Sequence, residues 1–134
     1  MEEEKKYLPH YSVLMSVYYK EKPEYLRKSI LSMWNQTVKT DDFVLVCDGP
    51  LTKELNAVVE EMQQKLGSFL HVYRLTKNSG LGIALNEGLK HCKNEFVARM
   101  DSDDISRPYR CEAQLQCLTI TLILASVQVP FRNL

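Results

Sequence analysis

The sequence lacks most features that announce a specialised protein. It carries no excess charge of either sign, because seventeen Lys and Arg cancel seventeen Asp and Glu. That balance argues against nucleic-acid partners, which require a basic footprint. No Cys-x-x-Cys pair occurs, and Cys47, Cys92, Cys111 and Cys117 do not combine with the three histidines at zinc-ligand spacing. They read as reduced, mostly buried thiols of a cytosolic protein. The opening "MEEEKKYLPH" lacks the apolar stretch of a signal peptide. The longest apolar run, Leu118 to Val129, is too short and too rich in Thr, Ser and Gln to span a bilayer, which takes about 20 apolar residues. Internal repeats and low-complexity segments are missing as well. What remains, 45% hydrophobic and 25% charged over 134 residues, is the composition of one ordinary globular domain.

Hydrophobic periodicity divides the chain into alternating elements. Tyr11 to Val17 ("YSVLMSV"), Phe43 to Cys47 ("FVLVC"), Leu70 to Leu75 ("LHVYRL") and Phe96 to Met100 read as strands. Between them, "PEYLRKSILSMWNQ" places Leu26, Ile30 and Trp34 at helical spacing with Pro23 near its start. A second helix from about Lys53 to Leu66 has its stripe at Leu55, Val58, Val59, Met62 and Leu66, with Gly67 as its stop. A third, from about Leu81 to Cys92, aligns Ala84, Leu85, Leu89 and Cys92, and Pro108 opens a fourth through "YRCEAQLQC". Strands alternating with helices predict an α/β fold with a mainly parallel sheet.

In such sheets ligands bind beyond the carboxyl ends of the strands. Each strand end here carries polar groups: "YYKEKPE", Asp48-Gly49, "TKNSG" and "DSDD" in turn. Each has a plain reading too. Tyr18 and Tyr19 either cover a sheet edge or form a platform for a base. Asp48 before Gly-Pro is a common turn residue. The glycines of "NSGLG" permit a tight turn, but Leu85 stands where a dinucleotide fingerprint needs Gly or Ala.

Asp101, Asp103 and Asp104 crowd three carboxylates into four residues. Two like charges about 4 Å apart repel by about 1 kcal/mol in water. A solvated loop that caps the next helix is one reading. An EF-hand fails because Ile105 and Ser106 occupy positions that need a ligand and a glycine. A phosphatase nucleophile at Asp101 would normally sit on the first strand. The remaining reading is a clamp for Mn²⁺ or Mg²⁺, which prefer oxygen ligands and carry substrate phosphates.

The four segments "SVLMSVYYKEKPEYLRKSILSMWNQT", "VLVCDGP", "KNSGLGIALNEGLKHC" and "FVARMDSDDISRPYRCEAQL" resemble, in that order, the donor-binding half of family-2 glycosyltransferases. The likeness runs from about Tyr11 to Gln116 and is nearest to exopolysaccharide enzymes of the amylovoran-biosynthesis type. It implies a Rossmann-like GT-A fold and inverting transfer of a sugar from a nucleotide diphosphate sugar, a UDP-sugar by analogy. The implied acceptor is a glycan or lipid-linked glycan, which places the protein in the cytoplasm, peripherally at the inner membrane face. By position, Val17, Tyr18 and Glu21 would line base and ribose, and Asp48 would meet uracil or ribose. Lys77, Asn78 and Gly80 would flank the nucleotide, with Asn86 following on its helix. Asp101, Ser102 and Asp103 match the family's Asp-x-Asp element, with Asp101 toward ribose or metal and Asp103 holding Mn²⁺ or Mg²⁺. Arg107 and Arg110 would meet phosphate or acceptor, or simply lie on the surface.

The expected organisation is an N-terminal extension (1–10), a donor-binding half (11–117) and an atypical tail (118–134). The family's second half, which supplies acceptor site and general base, does not follow, so a truncated GT-A domain is expected to bind donor without completing transfer. The other reading is a non-catalytic nucleotide-binding or oligomerising remnant. The tail "LTITLILASVQVPFRNL" departs from the family pattern. One permissible codon choice for it, read two nucleotides out of phase, restores the family phrase Asn-x-Pro-Asp-Ile-x-Ile, so a frameshift from about Leu118 is the expected origin. A β-rich apolar tail of that kind is expected to mediate self-association.

Overall fold

The computed structural model describes residues 8–128, without the side chains of 125–128. Four strands, β1 (Tyr11–Val17), β2 (Asp42–Cys47), β3 (Leu70–Arg74) and β4 (Phe96–Asp101), form one parallel sheet in the order β3-β2-β1-β4. Helices α1 (Pro23–Trp34), α2 (Lys53–Leu66), α3 (Leu81–Leu89) and α4 (Arg110–Gln128) follow the strands in turn, as the alternation predicts.

The two faces of β1 explain the layers. Val13, Met15 and Val17 point one way, into the core made by Leu26, Ile30 and Met33 of α1, the α2 stripe, and Cys111 and Leu115 of α4. Leu14 points the other way and joins Val44, Val46 and Ala84 under α3. All five predicted stripe residues of α2 are buried, each contributing about 1.5–3 kcal/mol if fully removed from water. Its start is capped by Thr52, whose Oγ1 accepts the Leu55 N–H at 3.2 Å. On α1 the core residue is Met33; Trp34 is half-buried and packs on Phe69, ring centroids 5.4 Å apart. Helix α3 lies flush on the sheet at Gly88, where a Cβ would come within 2.4 Å of Leu14 Cδ1 and 2.6 Å of Val46 Cγ2.

Two boundaries differ from the sequence reading by more than two residues. Helix α3 ends at Leu89 rather than Cys92. Backbone partners outside the helix draw the chain away: Lys93 N–H donates to Asp42 Oδ2 (2.8 Å) and Asn94 N–H to Ser12 Oγ (3.1 Å). The tail, expected to be β-rich, instead continues α4 to Gln128. No Gly or Pro interrupts the run before Pro130. The β-branched Thr119 and Thr121 are accommodated by donating to the carbonyls of Leu115 and Cys117, both at 2.9 Å. Ile120, Ile123 and Leu124 are exposed along it. The expected self-association segment thus lies partly on this helix; residues 129–134, and residues 1–7 of the expected extension, lie outside the described residues.

The thiols divide by environment. Cys47 and Cys111 are buried, Cys92 is partly covered and Cys117 is exposed. Burial pushes the Cys92 thiol up to about 11, with the Asp42 charge adding to it, and burial raises Cys47 and Cys111 as well. Near pH 8 such a Cys92 holds about 0.1% thiolate. Iodoacetamide is therefore expected to label Cys117 first and to leave the other three intact in the folded chain. Equal labelling by mass spectrometry would contradict the burial described.

Candidate functional site

All four strands run the same way, so their carboxyl ends share one rim. The strand order reverses at β1: β2 and β3 extend to one side, and the chain then returns through α3 to place β4 on the other. A groove of about 700 Å³ opens there, within the size of small-molecule sites. Its walls come from all four strand ends: Tyr18, Tyr19 and Glu21 after β1, Asp48 after β2, Asn78 and Gly80 after β3, and Asp101, Ser102 and Asp103 after β4.

Asp48 organises one end. It is buried, and its backbone N–H donates to the Val17 carbonyl at 2.8 Å. Its Oδ1 accepts the Ser79 N–H (2.7 Å) and its Oδ2 the Gly80 N–H (3.1 Å). One carboxylate therefore fixes the loop after β3 and the start of α3. Gly49 brings the same loops together: its φ is +90°, and a Cβ there would lie 2.5 Å from Asn78 N and 2.9 Å from Lys77 C. Only glycine permits both that backbone conformation and that approach.

The other end is acidic. Asp101, Asp103 and Asp104 are exposed, and one oxygen from each lies within 4.8 Å of the others. Oxygens that bind one Mg²⁺ at 2.0–2.1 Å sit up to about 4 Å apart, so small rotamer changes would gather this trio on one ion. Across the groove Ser102 donates its hydroxyl to Glu21 Oε2, tying the loop after β1 to the loop after β4. Glu21 Oε1 also accepts the Lys22 N–H at 2.9 Å. Tyr18 and Tyr19 are exposed and meet edge to face, centroids 5.7 Å apart.

Of the residues singled out by sequence, Tyr18, Glu21, Asp48, Asn78, Gly80, Asp101, Ser102 and Asp103 line the groove. Val17 does not: strand alternation sends its side chain into the core, and only its carbonyl reaches the rim. Lys77 is exposed and contributes backbone against Gly49, and Asn86 is exposed on α3 outside the groove. Arg107 is exposed. Arg110 is partly buried and hydrogen-bonded within the chain. Its guanidinium donates to Ser106 Oγ and to the Arg99 carbonyl, both at 2.9 Å, and so braces the acidic segment against β4.

Three residues that hold this segment from behind, Ser29 and Ser32 of α1 and Gln36 just past its end, escaped the sequence reading. Their signal was present as polar residues spaced three and four apart along and just past a helix that must bury a face.

The comparisons with known proteins agree with this geometry. The family model for glycosyl transferase family 2 matches residues 12–131. The Erwinia amylovora amylovoran biosynthesis glycosyltransferase AmsE is 48% identical over 105 residues, 78% of this chain and 39% of that protein. The Escherichia coli UDP-Gal:alpha-D-GlcNAc-diphosphoundecaprenol beta-1,3-galactosyltransferase is 40% identical over 111 residues, 83% of this chain and 40% of that protein. The chain thus spans about two fifths of the length of these relatives. Among solved structures, S. aureus TarS in complex with UDP superposes with a TM-score of 0.71 at 28% identity, covering 83% of this chain and 32% of TarS. The mannosyltransferase PcManGT of Pyrobaculum calidifontis, solved with GDP-Man and Mn2+, shares the fold with a TM-score of 0.69 at 22% identity, covering 84% and 32%. The chain, a parallel α/β sheet of the GT-A kind with an acidic cluster at its switch point, belongs to glycosyl transferase family 2.

Proposed function

We propose that this chain is the donor-binding portion of an inverting glycosyltransferase of polysaccharide biosynthesis, and that the groove takes a UDP-sugar. The observation that carries this reading is that Asp101 and Asp103 of the acidic trio line the same groove as Asp48 and Asn78. Tyr18 and Tyr19 offer an aromatic wall to the base. Asp48 and Asn78 offer polar atoms to its edge, and Asp101 and Ser102 sit where a ribose would follow. Asp103, with Asp101, would hold Mn²⁺ or Mg²⁺; when bound, the ion would stabilise the departing diphosphate as Lewis acid and template. This chain's own residues then do the rest of the donor's work. They orient the nucleotide and keep its diphosphate over the carboxylates, which without a cation would repel it.

The acceptor, a glycan or lipid-linked glycan, and the general base belong to the part of the relatives beyond the match, so residues 11–117 alone bind donor without turning it over. No described helix is long and apolar enough to cross a membrane. A lipid-linked acceptor would still bring the whole enzyme to the cytoplasmic membrane face. The UDP preference rests on UDP in the TarS structure and in the UDP-Gal donor for which the E. coli relative is named. Calorimetric titration tests the proposal: Mn²⁺ is expected to tighten UDP binding at least about tenfold, reversibly with EDTA, because the diphosphate meets carboxylates without it. UDP binding that ignores Mn²⁺, or no binding at all, would overturn it.

A further inference from the structure

The buried face of α1 is not uniformly apolar. Leu26, Ile30 and Met33 enter the core, but Ser29, and Gln36 two residues past the helix, are as deeply buried, with 0% and 2% exposure. Burying an amide or hydroxyl without partners costs about 1–3 kcal/mol, so these side chains must be satisfied. Nearly all of their partners beyond α1 are backbone atoms of one distant segment. Ser29 donates to the Asp101 carbonyl (2.9 Å), and Ser32 Oγ accepts the Ser106 N–H (3.0 Å). Gln36 Nε2 donates to the Arg107 carbonyl (2.8 Å) and to the Ser32 carbonyl (2.9 Å), while its Oε1 accepts the Cys111 N–H (2.9 Å).

Beyond Asp101, the last residue of β4, the segment so held has no helix or strand of its own up to the start of α4. One turn closed by the Asp104 N–H on the Asp101 carbonyl (3.1 Å) lies within it. Its front carries three carboxylates that repel one another. Left alone, such a loop would splay. We infer that Gln36, with Ser29 and Ser32, is a positioning residue that holds the acidic segment in the shape that gathers its carboxylates on a cation. This rests on the metal reading proposed above and adds to it the residues that set the geometry. Gln suits the place because it supplies a donor pair and an acceptor at once. Met would fill nearly the same volume with neither, and Glu would keep only the acceptor.

The test measures amide hydrogen exchange without metal and Mn²⁺ affinity by calorimetry, in the parent chain, Gln36→Met, Gln36→Glu and Gly88→Ala. The last variant overpacks against Leu14 and Val46 on the opposite face of the sheet and serves as a control for lost stability. Gln36→Met is expected to speed exchange at the Asp104 and Ser106 amides about tenfold and to weaken Mn²⁺ about tenfold. Gln36→Glu should fall between it and the parent, and Gly88→Ala should leave Mn²⁺ affinity unchanged. Parent-like exchange in Gln36→Met would overturn the inference. So would parent-like Mn²⁺ affinity, or an equal loss of Mn²⁺ affinity in Gly88→Ala. A parent chain that binds no Mn²⁺ would remove the metal reading instead, and the exchange comparison would still decide whether Gln36 holds the segment.

Discussion

Asp103→Ala should lose the whole metal-dependent part of UDP binding while making the metal-free chain slightly more stable. The two signs come from one arrangement. Asp103 is exposed and lies with Asp101 and Asp104 in a trio of carboxylates within 4.8 Å. In water each such pair repels by about 1 kcal/mol at 4 Å, so removing one charge relieves the loop by a fraction of that. With a cation present the same charge is a ligand. Removing it should weaken Mn²⁺ by about 100-fold, at or beyond the upper end of the range for groups that merely support ligands. Parallel calorimetry and thermal melts check both signs. A variant that binds Mn²⁺ and UDP like the parent would show that the trio is only a solvated acidic loop.

Asp48→Ala should act in the opposite sense, through stability first. The Asp48 carboxylate is buried and accepts two backbone N–H groups, from Ser79 and Gly80. Hydrogen bonds to a charged group contribute about 1.5–3 kcal/mol each, but Gly80 is exposed and its freed N–H would turn to water. The expected loss is about 2–3 kcal/mol in denaturant unfolding, with UDP binding lost alongside because the loop after β3 is no longer held. Asp48→Asn retains one acceptor and should lose less. Unchanged stability in Asp48→Ala would show that Gly49, packed on the Lys77–Asn78 backbone, fixes that loop by itself.

The elements could be read from the sequence because their signals are local. Leu55, Val58, Val59, Met62 and Leu66 state a helix and its buried face without reference to anything else, and the structure buries all five. The rim was readable for a topological reason: once four strands alternate with helices, their polar carboxyl ends must share an edge. What stayed hidden was what depends on distant partners. Gln36 looks like a surface residue until its acceptor, the Arg107 carbonyl, is known to be 71 positions away. Arg110 gives no hint in the sequence that the Arg99 carbonyl and Ser106 hydroxyl are its hydrogen-bond partners. Val17 sits in the right loop by motif, yet strand alternation turns it inward. The tail was misjudged because β-branched residues favour strands on average, whereas a run with no breaker can extend a helix already begun.

The bridge between Glu21 and Ser102 joins positions 81 apart in the chain. For a flexible chain, each doubling of such a loop costs only about 0.6 kcal/mol, so the segments between β1 and β4 are free to lengthen over evolutionary time with the groove intact. Register has no such latitude. Ser16 pairs with Asp101, and a slip of one residue would turn every side chain of β4 to the opposite face. A lineage carrying this sheet can therefore vary what it recognises by inserting chain elsewhere, while the spacing from Phe96 to Asp103 stays frozen to the residue.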